Sequence, residues 1–355
     1  MKSIQHILLA VSLLAASLSC HAVNIPTVLV GDAGNANDST SHGAVGYDYH
    51  IGTYEVTNSQ YTAFLNATAA TDTHSLYNTN MNSSTHGGIN RSGTSGSYTY
   101  SVKSGFGNKP VNYVSFWDAA RFTNWLTSGD TETGVYVLTP TGISNNTITR
   151  DATAWANGGV AVASENEWHK AAYFDGNGGY TLYPTQSNSI TTADANYGSS
   201  VGTVTDVGTY AADPSHYGTF DQGGNVLEWN DEIFFTSDRG FRGGSFSSPD
   251  SSLQSLSGNW FDPTIEDDDF GFRVSSLAPI PEPSAYAAIL GMLGLALALT
   301  RRKGLWFCRR GLSGTAGNWV RDSGHSLRSS TGKSDEDEPT GQNCDDRRFG
   351  AGSIQ

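Results

Sequence analysis

Cysteine is nearly missing from this chain: it has three in 355 residues, and none falls between residues 23 and 280. Cys20, Cys308 and Cys344 all stand near the ends. The central stretch therefore has neither a disulfide framework nor a thiolate to use. Cationic side chains are also scarce there, with 9 Lys and Arg against 26 Asp and Glu. Such a surface repels nucleic acid and anionic lipid. It suits a soluble exported domain able to hold divalent cations. The central histidines are His42, His50, His74, His86, His169 and His216. No two have the i, i+4 spacing of a helical zinc site. There is no Gly-x-Ser-x-Gly elbow and no Walker-type phosphate loop.

The two ends carry a different kind of information. Residues 1–22 hold Lys2, an apolar run from Ile7 to Leu18 and a small residue at Ala22, which reads as a secretory signal peptide. Cys20 raises the question of lipidation, but Ser17 stands where such sites carry a larger aliphatic residue. Near the other end, Pro281-Glu282-Pro283 precedes an apolar run and then Arg301-Arg302-Lys303. Residues 284–300 are short for a bilayer span but long enough to cross with some thinning. The basic cluster after them predicts a cytoplasmic C-terminal side. Together, residues 281–303 resemble the PEP-CTERM sorting signal of Gram-negative exported proteins, which implies processing by exosortase-type machinery. Residues 304–355 are foreign to such a signal. Rich in Gly, Ser, Arg and Asp and without apolar periodicity, they read as a disordered tail, of the kind a frameshift or read-through leaves.

Residues 23–280 are then the working domain, and a fold of that size can rely on its core alone. Gly, Ser, Thr and Asn dominate it, and helical periodicity is limited to short segments. Asn58 to Leu65 puts Tyr61, Phe64 and Leu65 on one face, with Thr57 or Asn58 as N-cap. Ser115 to Leu126 begins at a good cap and repeats apolar residues at helical spacing. Ser164 with Glu167 has the form of a capping box. Residues 69–108 are almost wholly polar and predict an inserted loop or short hairpin. The remainder reads as short strands between Gly-rich turns, so the class is α+β with two or three helices. Trp168 and Trp229 are expected in the core, and Trp260 in a loop. His169 is expected at the surface or satisfied. Glu266-Asp267-Asp268-Asp269 is expected to be a solvated loop.

Six pieces occur in a telling order: Glu55-Val-Thr-Asn58-Ser-Gln-Tyr61, Pro110-Val-Asn-Tyr-Val114-Ser115-Phe-Trp-Asp118, Ser164-Glu-Asn-Glu167-Trp168, Gly224-Asn225-Val226-Leu-Glu228-Trp229, Arg242-Gly243-Gly244-Ser245-Phe246 and Gly271-Phe-Arg273. In that order they resemble the sulfatase-modifying factor family, which includes the formylglycine-generating enzyme and has a variant C-type-lectin fold. The resemblance covers most of residues 45–276.

Within the Gly-Asn-Val-x-Glu-Trp piece, glycines free the backbone to turn carbonyls toward one point, and Ca²⁺ takes about 6–8 oxygen ligands. The resemblance implies a structural calcium held by the side chains of Asp221 and Glu228 and the carbonyls of Gly224 and Val226. A second reading makes Glu228 the partner of a core arginine such as Arg273. A second family calcium site would begin at Asn196 and Tyr197, although its other ligands do not align. The active enzymes hold Cu(I) with two cysteines after the Gly-Gly-Ser motif, because that ion requires soft thiolates. Here those positions fall near Ser248 and Leu253. No copper is expected, nor cysteine oxidation. The resulting expectation is an exported, envelope- or matrix-associated binding or structural module without catalysis, with a polysaccharide or another envelope protein as partner. The alternative is a family enzyme with altered metal chemistry, drawing on Asp250 or Asp262.

Overall fold

A computed structural model describes residues 23–280. The segments read from the sequence as a signal peptide, a sorting signal with its apolar run and a C-terminal tail lie outside those residues. Among the described residues no helix is long and apolar enough to cross a membrane.

Three helices form where the caps predict them. α1 (Asn58–Thr68) starts at Thr57, whose side chain accepts from Gln60 N while Gln60 answers with its own side chain. The 80–83 helix, α2 (Asn80–Ser83), follows as a single turn. α3 (Phe116–Ser128) starts at Ser115 with Asp118 in the reciprocal role and stops at Gly129, in the left-handed region at φ 84°. Two short helices, α4 (Pro140–Ser144) and α5 (Ala152–Ala156), are opened by Thr139 and Asp151. α6 (Glu165–Tyr173) carries the expected Ser164–Glu167 box. Each such cap stabilises its helix by about 1 kcal/mol. The one-turn helices were not anticipated, because four or five residues are too few to show a 3.6-residue period.

The strands make three sheets. β1 (Thr27–Val30), β2 (Tyr49–Gly52), β5 (Val160–Val162) and β10 (Val274–Ser276) form an antiparallel sheet in the order β1-β2-β10-β5. β3 (Ile89–Ser92) and β4 (Thr99–Val102) make the hairpin expected within the polar insertion. β6 (Leu227–Phe234), β7 (Asp238–Arg242), β8 (Asn259–Phe261) and β9 (Phe270–Phe272) form the last sheet, ordered β8-β7-β6-β9. β9 runs parallel to β6 and is followed after one residue by β10. Residues 270–276 thus contribute a strand to each of the two larger sheets.

The main core lies between α1, α3 and the last sheet. Tyr61 stacks on Phe122, Phe64 and Phe122 meet Trp125, and Phe272 closes on Phe122 edge-on. Trp229 is fully buried, and its Nε1 donates to the Val114 carbonyl. Trp168 is equally buried in a second cluster with Tyr49 and Tyr173. Trp260 is 42% exposed on β8, beside Phe235 at 71%. The mixed α+β class with short strands stands as expected.

Candidate cation site and the altered cysteine loop

The turn from Phe220 to Val226 ends the long connection after α6 and leads into β6. It needs unusual backbone at three positions: Asp221, Gly224 and Asn225 all have positive φ, near 61°, 89° and 62°. Only at Gly224 is glycine indispensable. A Cβ there would overlap the Asn196 carbonyl, which already accepts from Asn225 N at 2.8 Å. The turn is locked from the far side by Gly224 N donating to the Gly243 carbonyl and Phe246 N to the Asn225 carbonyl. This brings the Gly-Asn-Val and Arg-Gly-Gly-Ser pieces together, as their shared presence in the sequence implied.

Around the turn sit Glu55, Asp221, Glu228 and Arg273. Arg273 grips Glu228 with Nε to Oε2 and Nη2 to Oε1, both at 2.6 Å, and Trp168 Nε1 donates to Oε2 at 2.7 Å. Arg273 also donates to the carbonyls of Gly52 and Phe220, each at 3.0 Å. Burial works against its charge, but Glu228 more than compensates and holds the guanidinium above its ordinary pKa. The Asp221 carboxylate accepts from Gly208 N at 2.6 Å. Burial raises the Asp221 pKa to about 6, against the opposing pull of that hydrogen bond and of Arg273. Glu55 is pushed well above the usual carboxylate range, first by burial and then by Asp221.

Asn225 spans the cluster. Its amide nitrogen donates to Glu55 Oε1 at 3.0 Å. Its oxygen accepts from Thr205 N at 2.9 Å and from Asn196 Nδ2 at 3.3 Å. At either end of this amide an oxygen is left over: Glu55 Oε2 and Asn196 Oδ1 are buried and make no hydrogen bond. Buried polar atoms without partners are rare and call for an explanation. Three carboxyl groups share one guanidinium in a low-dielectric setting, which favours the neutral form of Glu55 and Asp221 when no cation is bound. The donor set is all oxygen, which fits a hard cation such as Ca²⁺ and not a soft one.

The five residues expected to bind metal are therefore neighbours. Asp221, Gly224, Val226 and Glu228 lie on one turn and strand, and Asn196 touches it through Asn225. Within this group Glu228 is bonded to Arg273 and Trp168, the pairing that the second reading of the sequence described. Among the described residues, no group of three or more His, Cys, Asp or Glu is arranged to hold a metal ion. Glu55 was quoted only as part of a fold motif. Its signal was a carboxylate flanked by Tyr54 and Val56 in a segment otherwise bound for the interior.

The loop after Gly-Gly-Ser takes a firm shape without sulfur. Ser248 Oγ accepts from Ser245 N at 3.0 Å and lies 3.1 Å from Ser245 Oγ, which in turn donates to Asp269 Oδ2 at 2.9 Å. Leu253 is fully buried against Tyr183 and Ala195. Both residues lie against Gly244. Asp250 opens a 3₁₀ turn that ends at Leu253, and Asp262 accepts from Thr264 N and Oγ1.

His169, expected at the surface or satisfied, is fully buried and paired through one ring nitrogen, with Nε2 3.0 Å from Asp38 Oδ2 and Nδ1 without a hydrogen-bond partner. One expectation needs correcting. The acidic run 266–269 is not simply solvated, because three of its carboxylates find donors. Asn78 Nδ2 donates to Glu266 at 2.5 Å, His86 Nδ1 lies 2.5 Å from Asp268, and Asp269 takes the Ser245 hydroxyl.

Residues 24–277 match the sulfatase-modifying factor enzyme 1-like domain. The chain belongs to that family. Solved structures similar to it include Treponema denticola variable protein 1, at 21% identity over 72% of this chain and 96% of that one, with a TM-score of 0.49. CarF is similar at 22% identity, with coverage of 72% and 99% and a TM-score of 0.48. PvdO from Pseudomonas aeruginosa is similar at 18% identity, with coverage of 72% and 92% and a TM-score of 0.42. No match was found among curated proteins.

Proposed function

We propose that this chain is a non-catalytic binding or structural member of the sulfatase-modifying factor family, exported and retained at the cell envelope or matrix. One observation carries the reading. By the family resemblance the two copper-binding cysteines of the active enzymes fall near Ser248 and Leu253, and in this chain those residues are a hydroxyl spent on its own turn and a core leucine. A serine hydroxyl does not ionise near neutral pH, and leucine is no ligand, so the soft two-sulfur grip has no counterpart. In this reading a structural Ca²⁺ at the Asp221 turn would brace the framework, and the loops around it would meet a polysaccharide or another envelope protein. The N-terminal signal peptide and the PEP-CTERM-like segment would direct export and sorting.

The test is to incubate the purified full-length chain with Cu(I), oxygen and a cysteine-containing peptide, and to follow the peptide by mass spectrometry. No conversion of cysteine to formylglycine is expected, and elemental analysis should find calcium without copper or iron. Turnover of the peptide would overturn the proposal.

A further inference from the structure

We propose that residues 31–48 form a strap over α6 that acid releases, with His169 as the group that senses the proton. The segment leads from β1 to β2 and is fastened to α6. Four residues of that helix hold it. Asn166 Oδ1 accepts from Gly43 N at 2.9 Å, Lys170 Nζ donates to the Asp32 carbonyl at 2.9 Å, and the Tyr47 hydroxyl donates to Glu167 Oε1 at 2.8 Å. His169 supplies the fourth contact, its Nε2 3.0 Å from Asp38 Oδ2. Beyond the helix, the Tyr180 hydroxyl donates to the Ala36 carbonyl at 2.9 Å and accepts from Asn35 Nδ2 at 2.7 Å. Val45 is the one hydrophobic side chain of the segment that is buried. A loop held by polar contacts, with little apolar burial, opens at low cost.

The contact between Asp38 and His169 sets the direction. His169 is fully buried, and its Nδ1 has no hydrogen-bond partner. A neutral ring donates from Nε2 to Asp38 and leaves Nδ1 bare. A second proton puts an N–H on Nδ1 where the closed strap offers no acceptor, a costly state for a buried donor. Asp38 and His42 face this ring from the strap, Glu165 and Tyr173 from α6, Tyr180 from the segment after it, and Arg242 from β7. Burial lowers the His169 pKa from its ordinary 6.5, against the pull of the Asp38 hydrogen bond; Arg242 adds to the fall and Glu165 opposes it. Burial acts to raise the Asp38 pKa, but the bonds from His169 and Thr40 outweigh it and hold that carboxyl well below the usual range. Asp38 therefore stays ionised while His169 titrates. A group whose closed-state pKa is lowered takes up protons more readily once freed, so opening gains as pH falls through 6.5. His42 acts the other way, because its protonation strengthens the contact with Glu165 Oε1, 3.7 Å from its Nδ1. That contact is partly exposed and screened, so the buried ring decides. Release separates His42 from the Glu165–Arg242 ion pair and bares the side of α6 that carries Asn166 and His169.

The experiment is hydrogen–deuterium exchange of the full-length chain, read as protection factors so that the intrinsic pH dependence of exchange drops out. In the wild type, protection of the amides of residues 35–44 should fall by at least about threefold between pH 7.5 and pH 5.0. The amides of β2 and β10 should keep theirs. His169→Gln retains a donor for Asp38 and cannot ionise, so its strap should change by less than about 1.5-fold over the same range. His42→Gln should show the wild-type response. A flat wild type overturns the proposal, as does a His169→Gln chain that responds like the wild type or a His42→Gln chain that does not respond. Should His169→Gln fail to fold, imidazole NMR titration of the wild type decides. A strap midpoint that follows the titration of His169 supports the proposal, and one that follows His42 overturns it.

Discussion

Arg273 and Glu228 form a two-pronged ion pair with neither side chain exposed. The pair connects β10's neighbour to β6, so it joins the two larger sheets. Removing one partner leaves a buried charge uncompensated. Arg273→Met should therefore destabilise the domain by about 3–5 kcal/mol. Adding Glu228→Leu should recover most of that loss, because a buried ion pair is often no better than well-packed apolar residues. Chemical denaturation of the two variants in EDTA measures the difference, and equal losses in both would contradict this account.

Gly224 permits a turn that no side chain tolerates. Its φ of 89° is unfavourable for any L residue, and an added Cβ would meet the Asn196 carbonyl. Gly224→Ala should cost more than the roughly 1 kcal/mol of an ordinary conformational mismatch. The same substitution at Gly178, also at positive φ but with open space around it, should cost less. Thermal melts of both variants test the ordering.

Glu266 carries a pH dependence. Burial raises its pKa to about 7, with Asp118 adding to the rise and the Asn78 hydrogen bond opposing it. A carboxyl with a raised folded-state pKa retains its proton more readily in the folded chain. Its contribution is fully present below the unfolded value near 4.5 and is lost as pH rises through about 7. Glu266→Gln, which accepts from Asn78 but cannot ionise, should melt higher than the wild type at pH 8. Near pH 4 the two should converge. A constant gap from pH 4 to pH 8 would rule this out.

Trp229 and Trp260 should respond oppositely to truncation. Trp229 is fully buried and hydrogen-bonded, so Trp229→Ala should lose about 3–5 kcal/mol. Trp260 stacks on Phe234 at the surface, with ring centroids 5.1 Å apart, and Trp260→Ala should lose about 1 kcal/mol. Urea midpoints of the two variants provide the comparison.

The cysteine loop can be rebuilt. Ser248 and Leu253 both pack against Gly244, so a Ser248→Cys, Leu253→Cys chain places two thiols on one glycine. That variant should retain Cu(I) against a chelator, and the wild type should not. Failure of the double variant to hold copper would show that these positions do not replace the family's pair.

The fold was legible where local chemistry announces itself. Ser115 with Asp118 and Ser164 with Glu167 mark helix starts that stand where the spacing placed them. Four-residue helices such as Asn80–Ser83 left no period to read. The site was legible only in part. The Asp221 turn was visible through its glycines, yet no rule of spacing connects Glu55 to Asn225, which are 170 positions apart and meet only in the folded chain. The partner of His169 was out of reach for the same reason, since Asp38 lies 131 positions away in the chain.

One seven-residue stretch, Phe270 to Ser276, lies beside β6 with one half and between β2 and β5 with the other. Neither large sheet can be completed until that stretch has left the ribosome. A nascent chain arrested anywhere earlier lacks the strand partners that this stretch gives to β6, β2 and β5. The last residues of the domain to be made are therefore the ones that complete both of its larger sheets.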